Sequence, residues 1–276
     1  DNNSYLSSLI ESIKCHHNDI ANYILANFLD NDDENLMNIF NKILKYYNFS
    51  FMKNEFINES SFYKLCKNNY ITLVEFFLKT KDVDVNEKHK DKTLLYYAVE
   101  NDQIEIINLL INNDKLDINA YSTNNYDDDI FQEKTALYLA VENENIEIVK
   151  LLLSNKKIDI NILNKMNNYM ETALHLAVYN ENIDIIKVLI INDKIDVNIP
   201  SEEIYYKKDE SCQKIMCKNI INTPLHAAVY HNNVEIVKLL VNHKKINLHI
   251  KNIEGKTPKE IAENDQIKQL FPDYNS

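Results

Sequence analysis

The sequence predicts an all-α solenoid, in which pairs of helices stack along the chain. A segment of roughly 33 residues recurs several times, and this length is typical of solenoid repeats. Within each copy the apolar residues follow a helical spacing, with charged residues between them. One copy cannot cover its own apolar face, so neighbouring copies must stack and stability must run along the array.

The repeat is visible as a series of similar segments. TALYLAVENENIEIVKLLLSNKKIDIN begins at Thr135, and TALHLAVYNENIDIIKVLIINDKIDVN begins at Thr172. The series opens with a weaker copy and ends with a truncated one. We number the copies as the first to sixth repeats, which begin at Ser61, Thr93, Thr135, Thr172, Thr223 and Thr257.

Each repeat is predicted to contain two helices separated by a tight turn. The opening threonine can cap the first helix, because its hydroxyl can accept a hydrogen bond from a backbone N–H of the first turn. Asparagine tolerates the left-handed conformation, so we expect it to replace glycine where the first helix ends. The asparagines concerned are Asn101, Asn143, Asn180 and Asn232. The leucines predicted to lie in the core between repeats are Leu151, Leu152, Leu174 and Leu189.

These segments resemble the ankyrin repeat. The resemblance rests on TPLH at Thr223–His226, TALH at Thr172–His175 and the recurring EIVKLL and IDVN segments, and it covers roughly residues 61–276. It implies short β-hairpin connectors, which project as fingers beside a concave surface. It also implies a histidine that hydrogen-bonds within its turn and to the next repeat. The chain departs from the family in its lost glycines, and in Tyr96 and Tyr138, which stand where the family usually has histidine.

Residues 1–60 are helical in pattern but do not follow the repeat. Residues 8–25 align with residues 61–78, which indicates a degenerate repeat, and a further helix is predicted near Glu34–Tyr47. We therefore predict two domains, a helical N-terminal cap at 1–60 and ankyrin repeats at 61–276, because the end of a solenoid needs an atypical outer face. A helical region ahead of Asn-rich repeats resembles large protozoan ankyrin families, whose N-terminal domain has no assigned function.

The composition excludes several classes of function. The chain has one glycine and no arginine, whereas phosphate-binding loops, dinucleotide fingerprints and nucleophile elbows all require glycines. A formal net charge of -12 repels nucleic acid, so we expect no nucleic-acid partner. No apolar run is long enough to span a bilayer, so we expect no membrane insertion. The cysteines are too scattered for a disulfide framework, which favours reduced thiols and a cytoplasmic location.

Histidines and cysteines are the candidates for catalysis or metal binding. His175 and His226 match the histidine that holds the turn in ankyrin repeats, so a structural role is favoured over a catalytic one. Cys212 and Cys217 are close enough in sequence to suggest a metal site or a disulfide, but two thiols do not complete a four-ligand zinc site. We therefore predict that the chain is not an enzyme and holds no cofactor or metal.

Two long connectors and the first helices provide the candidate partner-binding residues. The first finger (Ala120–Lys134) and the second finger (Ile199–Asn222) are insertions, which often belong to the binding face of a repeat array; the alternative is a pair of tolerated surface loops. On the first helices, Tyr179 and Tyr230 replace the glutamates of neighbouring repeats by aromatic residues, which are enriched at interfaces; the alternative is drift at an exposed position. The candidates are Tyr97, Tyr121, Tyr126, Asp127, Asp128, Asp129, Leu139, Leu176, Tyr179, Tyr205, Tyr206 and Tyr230.

We expect the chain to act as a protein–protein interaction scaffold or adaptor that binds its partner through the concave face and the two fingers. The acidic run Asp127–Asp129 favours a partner with a basic patch. Two alternatives stay open: a regulatory or targeting segment of a larger protein, or an enzyme with an unrecognised site near the N-terminal cap. The sequence does not indicate an oligomeric state.

Overall fold

The computed structural model describes residues 8–12, 59–80, 83–125, 131–208 and 214–272. The chain divides into two compact units, Asp1–Lys81 and Asp82–Ser276. In the first unit residues 8–12 are helical, and the first repeat forms α1 (Glu59–Lys67) and α2 (Ile71–Thr80). The helix predicted near Glu34–Tyr47 lies outside the described residues, and the domain boundary after residue 60 stays a prediction.

The second unit repeats one plan, a short first helix followed by a second helix. First helices contact the first helices of neighbouring repeats and second helices contact second helices, so the unit has two helical layers. The bounds are α3 (Leu94–Glu100), α4 (Ile104–Ile111), α5 (Ala136–Glu142), α6 (Ile146–Leu153), α7 (Ala173–Tyr179), α8 (Ile183–Ile190), α9 (Pro224–Tyr230), α10 (Val234–Val241), α11 (Pro258–Ile261) and α12 (Asp265–Lys268).

The core lies between successive repeats, at equivalent positions in each. The equivalent leucines of the second helices are each 0% exposed, and they are Leu110, Leu152, Leu189 and Leu240. The prediction of a buried side chain is confirmed for Leu152, Leu174 and Leu189. It is wrong for Leu151, which is only half-buried. One residue along an α-helix is a rotation of about 100°, so Leu151 lies beside the buried stripe that Leu152 joins.

The predicted threonine caps are confirmed. Each opening threonine from the second to the sixth repeat is extended, and its hydroxyl accepts a hydrogen bond from the backbone N–H three residues later. Such a cap satisfies one of the N–H groups that the first turn of a helix leaves unpaired. The hydrogen bond therefore fixes where each first helix begins.

The predicted role of asparagine at the end of the first helix is correct once and wrong three times. Asn232 is left-handed, with φ of 54°, but Asn101, Asn143 and Asn180 are not. All four first helices have seven residues, and the left-handed residue is always the second after the helix. In those three repeats the asparagine stands one position earlier, as the C-cap, and the left-handed residue is Asp102, Glu144 or Glu181. The next N–H then bonds back to a carbonyl five residues earlier, as from Asn145 to Ala140 at 3.0 Å, which is a Schellman motif.

A ladder of asparagine side chains joins the connectors of successive repeats. In the third repeat, the Asn161 amide nitrogen donates to the Lys194 carbonyl at 2.9 Å, and its oxygen accepts from the Asp196 N–H at 2.8 Å. The same pair of bonds recurs at the equivalent asparagines of the first, second and fourth repeats. The asparagines of the ladder are Asn86, Asn119, Asn161 and Asn198.

The connectors form two antiparallel sheets. The small sheet pairs β1 (Lys88–His89) with β2 (Lys92–Thr93). The larger has six strands in consecutive order, so the hairpins of three neighbouring connectors pair edge to edge. Its strands are β3 (Ser122–Asn125), β4 (Phe131–Lys134), β5 (Asn164–Met166), β6 (Tyr169–Glu171), β7 (Glu202–Lys208) and β8 (Lys214–Ile220). Both fingers are therefore β-hairpins of one sheet, separated by the β5–β6 hairpin.

The helices of the described ranges are short. Among them, none has both the length and the apolar character that a bilayer-spanning helix requires.

Candidate partner-binding site

A pocket of about 380 Å³ opens in the second unit, where α5 and α7 meet the larger sheet. Helix α5 belongs to the third repeat and α7 to the fourth, so the pocket lies across the junction of two repeats. Strands β5 and β6 and the base of the second finger supply the rest of its wall. The lining residues are Tyr138, Glu142, Met166, Tyr169, Glu171, Leu176, Tyr179, Ser201 and Ile221.

Glu171 is the central polar group of this pocket. The Tyr138 hydroxyl donates to Glu171 Oε1 at 2.6 Å. Burial raises the pKa of Glu171, with the hydrogen bond from Tyr138 lowering it and the charge of Glu142 raising it. Burial also raises the pKa of Tyr138, and the nearby Glu171 raises it further, so Tyr138 stays protonated as the donor. None of the ion pairs formed by the described side chains includes Glu171.

The second carboxylate of the pocket, Glu142, is neutralised by the lysine that directly precedes its repeat. Lys134 Nζ lies 2.8 Å from both carboxylate oxygens of Glu142, and the Lys134 side chain is only 5% exposed. Because a buried ammonium must be paired to be tolerated, this lysine is committed to Glu142. Two carboxylates therefore line the pocket, and one of them, Glu142, is paired with Lys134 behind the lining.

Two tyrosines give the pocket an open aromatic rim. Tyr169 is 50% exposed and Tyr179 is 37% exposed. The Tyr179 ring lies 5.6 Å from the ring of His231, between ring centroids. Burial and the negative charge of Glu171 raise the pKa of Tyr179 to about 12, against a smaller lowering by its hydrogen bond with Ser201. Tyrosine combines an apolar ring with a polar end, which suits a surface that is exposed to water in the free protein and covered in a complex.

Of the partner-binding residues predicted on the first helices, two line this pocket and three lie elsewhere. Leu176 and Tyr179 line the pocket. Leu139 is only 6% exposed, so its side chain belongs mainly to the core. The Tyr97 hydroxyl donates to the His89 carbonyl at 3.4 Å. Tyr230 is 51% exposed and its hydroxyl accepts from the Asn252 side chain at 3.1 Å.

The predicted residues of the fingers are described in part. The Tyr121 hydroxyl donates to the Leu163 carbonyl at 3.0 Å, which ties the first finger to the next connector. Tyr205 and Tyr206 lie on β7, where the structure describes the backbone. The four residues Tyr126, Asp127, Asp128 and Asp129 lie outside the described residues.

Sequence reasoning missed most of the residues that line the pocket. Tyr138 was noted as a departure from the family, and Glu171, Tyr169 and Ser201 were not singled out at all. One signal was available for Glu171, because the residue before the opening threonine is Lys92 or Lys134 in the two preceding repeats and a glutamate here. The other residues come from connectors, whose placement depends on how the repeats stack.

The histidines have the structural role that the resemblance implied. His175 Nδ1 lies 2.9 Å from the Thr172 hydroxyl, and Nε2 lies 3.0 Å from the Asn222 carbonyl of the next connector. Burial lowers the pKa of His175 to about 4, although the bond to the Asn222 carbonyl raises it. His226 has the same arrangement, with Nε2 at 3.1 Å from the Lys256 carbonyl. Across the described ranges no group of three or more potential ligands is arranged to hold a metal ion.

Comparison with known families decides the class of the chain. Residues 32–122 and 121–201 match the family model described as ankyrin repeats in three copies, and residues 222–253 match the model of the single ankyrin repeat. The chain belongs to the ankyrin-repeat family. Ankyrin repeats generally mediate protein–protein interaction, which agrees with the expected binding function. No curated protein matches the chain.

Solved ankyrin structures share this fold. The ankyrin repeat protein EF0377 is 23% identical, with a TM-score of 0.56 over 79% of this chain and 99% of its own. An ankyrin repeat domain from Acinetobacter baumannii AYE, ABAYE2397, is 19% identical, with a TM-score of 0.55 over 77% of this chain and 96% of its own. At such identities the likeness concerns the fold alone.

Proposed function

We propose that this ankyrin-repeat protein is a scaffold or adaptor that binds a protein partner through its concave face, centred on the pocket between the third and fourth repeats. The observation that carries the proposal is the pocket itself, which combines an aromatic rim with a charged interior. Aromatic anchors around a partly enclosed pocket are typical of the energetic centres of protein interfaces. The pocket also lies beside both fingers, so one partner could contact all three.

The partner is proposed to carry a basic patch. The net charge of the chain is -12, and the first finger contains the acidic run Asp127–Asp129. Charges of opposite sign steer partners together and are screened by salt, so the association rate should fall as ionic strength rises. A partner that binds equally fast at low and high salt would contradict this part of the proposal.

Selection from a random peptide display library tests the recognition surface directly. We expect selected peptides to bind the whole protein, and the double change Tyr179→Ala with Tyr230→Ala to weaken their binding by about tenfold, since aromatic residues dominate interface energetics. Fluorescence anisotropy with labelled peptides measures the affinities. Ile191→Ala is the matched control, because Ile191 is 82% exposed and follows α8 in the second-helix layer.

If Ile191→Ala abolished binding while the double tyrosine variant bound normally, the recognition surface would lie on the second-helix layer. A selection that enriches no peptide would remove the support for peptide recognition by this face.

The fingers need a more selective deletion than removal of the whole insertions. Their bases carry buried hydrogen bonds, including the Ser122 hydroxyl with the Thr93 N–H at 2.9 Å and the Ser201 N–H with the Asn222 carbonyl at 2.7 Å. The outer part of β7 pairs only with β8, because β6 pairs with Glu202 and Glu203 alone. The tips therefore contribute little to stacking, and the bases contribute directly.

We expect replacement of residues 125–131 and 205–217 by Asn-Gly turns to leave the thermal midpoint nearly unchanged and to weaken peptide binding. Asn-Gly is suitable because it favours the turn that closes a two-residue hairpin. Circular dichroism melting and anisotropy on the same preparation measure both effects. Unchanged binding would show that the tips are tolerated loops, and a large fall in the melting temperature would show that they support the stack.

A further inference from the structure

A pair of opposite charges recurs at the same place in the second and third repeats. Lys92 Nζ lies 2.7 Å from Glu100, and Lys134 Nζ lies 2.8 Å from Glu142. In both repeats the lysine directly precedes the opening threonine, and the glutamate follows that threonine by seven residues. The pair therefore bridges the end of a hairpin and the end of the first helix that follows it.

The fourth repeat breaks this pattern at both positions. Glu171 stands where the lysine is expected, and Tyr179 stands where the glutamate is expected. The fifth repeat has the uncharged Asn222 and Tyr230 at these positions, and the sixth keeps the lysine as Lys256. From the second to the sixth repeat, a carboxylate thus replaces the lysine only at the pocket.

Among the side chains that the structure describes, the exchange leaves the Glu171 carboxylate without an ion pair. Lys134 uses both oxygens of Glu142, so it is not available to Glu171. The described contact of the Glu171 carboxylate in the pocket is the hydrogen bond from the Tyr138 hydroxyl at 2.6 Å. A neutral donor compensates a half-buried carboxylate less fully than a cation does, since hydrogen bonds between charged partners are the stronger ones.

The remaining lining suits the stem and the head of a basic side chain. Leu176, Met166 and Ile221 offer apolar surface, against which the methylene groups of lysine or arginine can pack. Tyr169 and Tyr179 offer aromatic rings, whose faces attract cations. A volume of about 380 Å³ gives room for one such side chain.

We infer that this pocket receives a single lysine or arginine side chain of the protein partner, whose cation pairs with Glu171 in place of the lysine that the preceding repeats supply themselves. This inference rests on the proposed function and deepens it, because it names the partner group that enters the site. It predicts that one basic residue of the partner accounts for most of the dependence of the binding affinity on Glu171.

A double-mutant cycle with the selected peptides tests this pairing. On the protein, Glu171→Gln removes the charge and keeps an acceptor for Tyr138, and Glu147→Gln is the control at an exposed position of α6. On the peptide, each lysine is replaced by norleucine and each arginine by citrulline. We expect one replacement to weaken binding to the wild-type protein about tenfold and to Glu171→Gln less than about twofold, since coupled charges lose their effect together.

A second variant restores the pattern of the preceding repeats. Glu171→Lys with Tyr179→Glu should recreate the ion pair of the third repeat. We expect this variant to retain the melting temperature and to bind the selected peptides more than about tenfold more weakly. If this variant fails to fold, the cycle with Glu171→Gln decides alone.

The inference is overturned if every replacement of a basic peptide residue weakens binding to the wild-type protein and to Glu171→Gln equally. It is also overturned if the selected peptides contain no basic residue but still require Tyr179, and in that case the proposed function stands without it.

Discussion

The second and third repeats hold the N–H of their capping threonine differently from the fourth and fifth. In the earlier pair the acceptor comes from the next connector: the Thr93 N–H donates to the Ser122 hydroxyl at 2.9 Å, and the Thr135 N–H donates to Asn164 Oδ1 at 2.7 Å. In the later pair the acceptor lies in the same helix. The Thr172 N–H donates to His175 Nδ1 at 3.3 Å, and the fifth repeat does the same with His226.

The local acceptor changes what the next connector can do. Ser201 and Asn252 follow their threonines by the same 29 residues as Ser122 and Asn164. With the threonine N–H already satisfied, Ser201 Oγ instead donates to the Asn222 carbonyl at 3.1 Å and closes the base of the second finger. Asn252 Oδ1 accepts from the Lys256 N–H at 3.0 Å, in the turn around Gly255, whose φ is +74°.

The comparison teaches that one capping requirement has two solutions with different side effects. Where tyrosine occupies the third helical position, the threonine N–H depends on an acceptor from the next connector, Ser122 or Asn164. Neither of these two side chains titrates near neutral pH. Histidine makes the cap local and reaches the next connector through Nε2, but it must stay neutral to accept at Nδ1. The later repeats are therefore expected to be the acid-sensitive region of the second unit.

The largest expected effect is one that the two regions should share. Leu152→Ala in the third repeat and Leu189→Ala in the fourth should each cost about 2–5 kcal/mol in the free energy of unfolding, because both leave a cavity between repeats. Urea denaturation of the two variants measures the loss. A cost below about 0.5 kcal/mol for either would mean that the repeats do not bury this leucine equivalently.

The second expected effect is a difference in acid sensitivity between the second and third repeats and the fourth and fifth. The pKa of His175 is about 4 in the folded chain, and about 6.5 is usual for an unfolded one, so the folded state binds fewer protons between these values. The stability due to neutral His175 is complete above about pH 6.5 and is lost as the pH falls towards 4, by about 3 kcal/mol at most. The pKa of His226 is also lowered by burial, so its contribution has the same sign.

His175→Asn tests this prediction, because asparagine cannot titrate and keeps an acceptor near Nδ1. The unfolding free energy of this variant should vary less with pH between about 4 and 6.5 than that of wild type. A His175 resonance that titrates near 6.5 in nuclear magnetic resonance would contradict the buried, neutral imidazole.

Removal of a cap acceptor should affect the earlier region more than the later one. Asn164→Ala leaves the buried Thr135 N–H without its acceptor and should cost about 1–3 kcal/mol. Ser201→Ala should cost less, since His175 still accepts from Thr172. Adding Tyr138→His to Asn164→Ala should recover part of the loss by building the local cap. Thermal melting of the three variants measures their loss of stability. Equal losses for Asn164→Ala and Ser201→Ala would contradict the distinction between connector-dependent and local caps.

The smallest expected effect concerns the left-handed residues after the first helices. Glu144→Gly should stabilise by about 0.5–1 kcal/mol, because glycine adopts positive φ without steric cost. Glu181→Gly should be nearly neutral, since it also loses a 2.7 Å bond from the Asn233 side chain, compared with 3.4 Å from Asn182 to Glu144. Chemical denaturation resolves the difference, and a larger gain at Glu181 would contradict it.

These left-handed residues also explain the lost glycines. The asparagine that caps each following second helix turns its Nδ2 back to the left-handed residue, as Asn145 does to Asp102 at 2.9 Å and Asn264 to Asn232 at 2.9 Å. Glycine could not accept that bond. From the sequence we read asparagine as a substitute for glycine in the turn; the structure adds a contact between repeats, which a pattern within one repeat does not contain.

The binding site was predicted less completely than the fold. Tyr179 and Leu176 were found because they stand at fixed distances from a capping threonine, on a helix whose exposed face follows from its period. Tyr169, Met166 and Ser201 were missed because they lie in connectors of unequal length, where no period applies. Leu139 was assigned to the surface by the same count that found Leu176, and its burial reflects the fit of α5 against its neighbours.

The sequence by itself determined the family, the start of the second to sixth repeats, the threonine caps and, through the family resemblance, the structural use of His175 and His226. The repeat starts, the caps and the contact of each histidine with its threonine depend on residues within one turn or one repeat, where covalent spacing fixes the distances. Only the tertiary structure decided that three hairpins merge into one sheet and that Glu171 accepts a hydrogen bond from Tyr138. Those outcomes depend on side chains about 30 residues apart, which stacking alone brings within hydrogen-bonding distance.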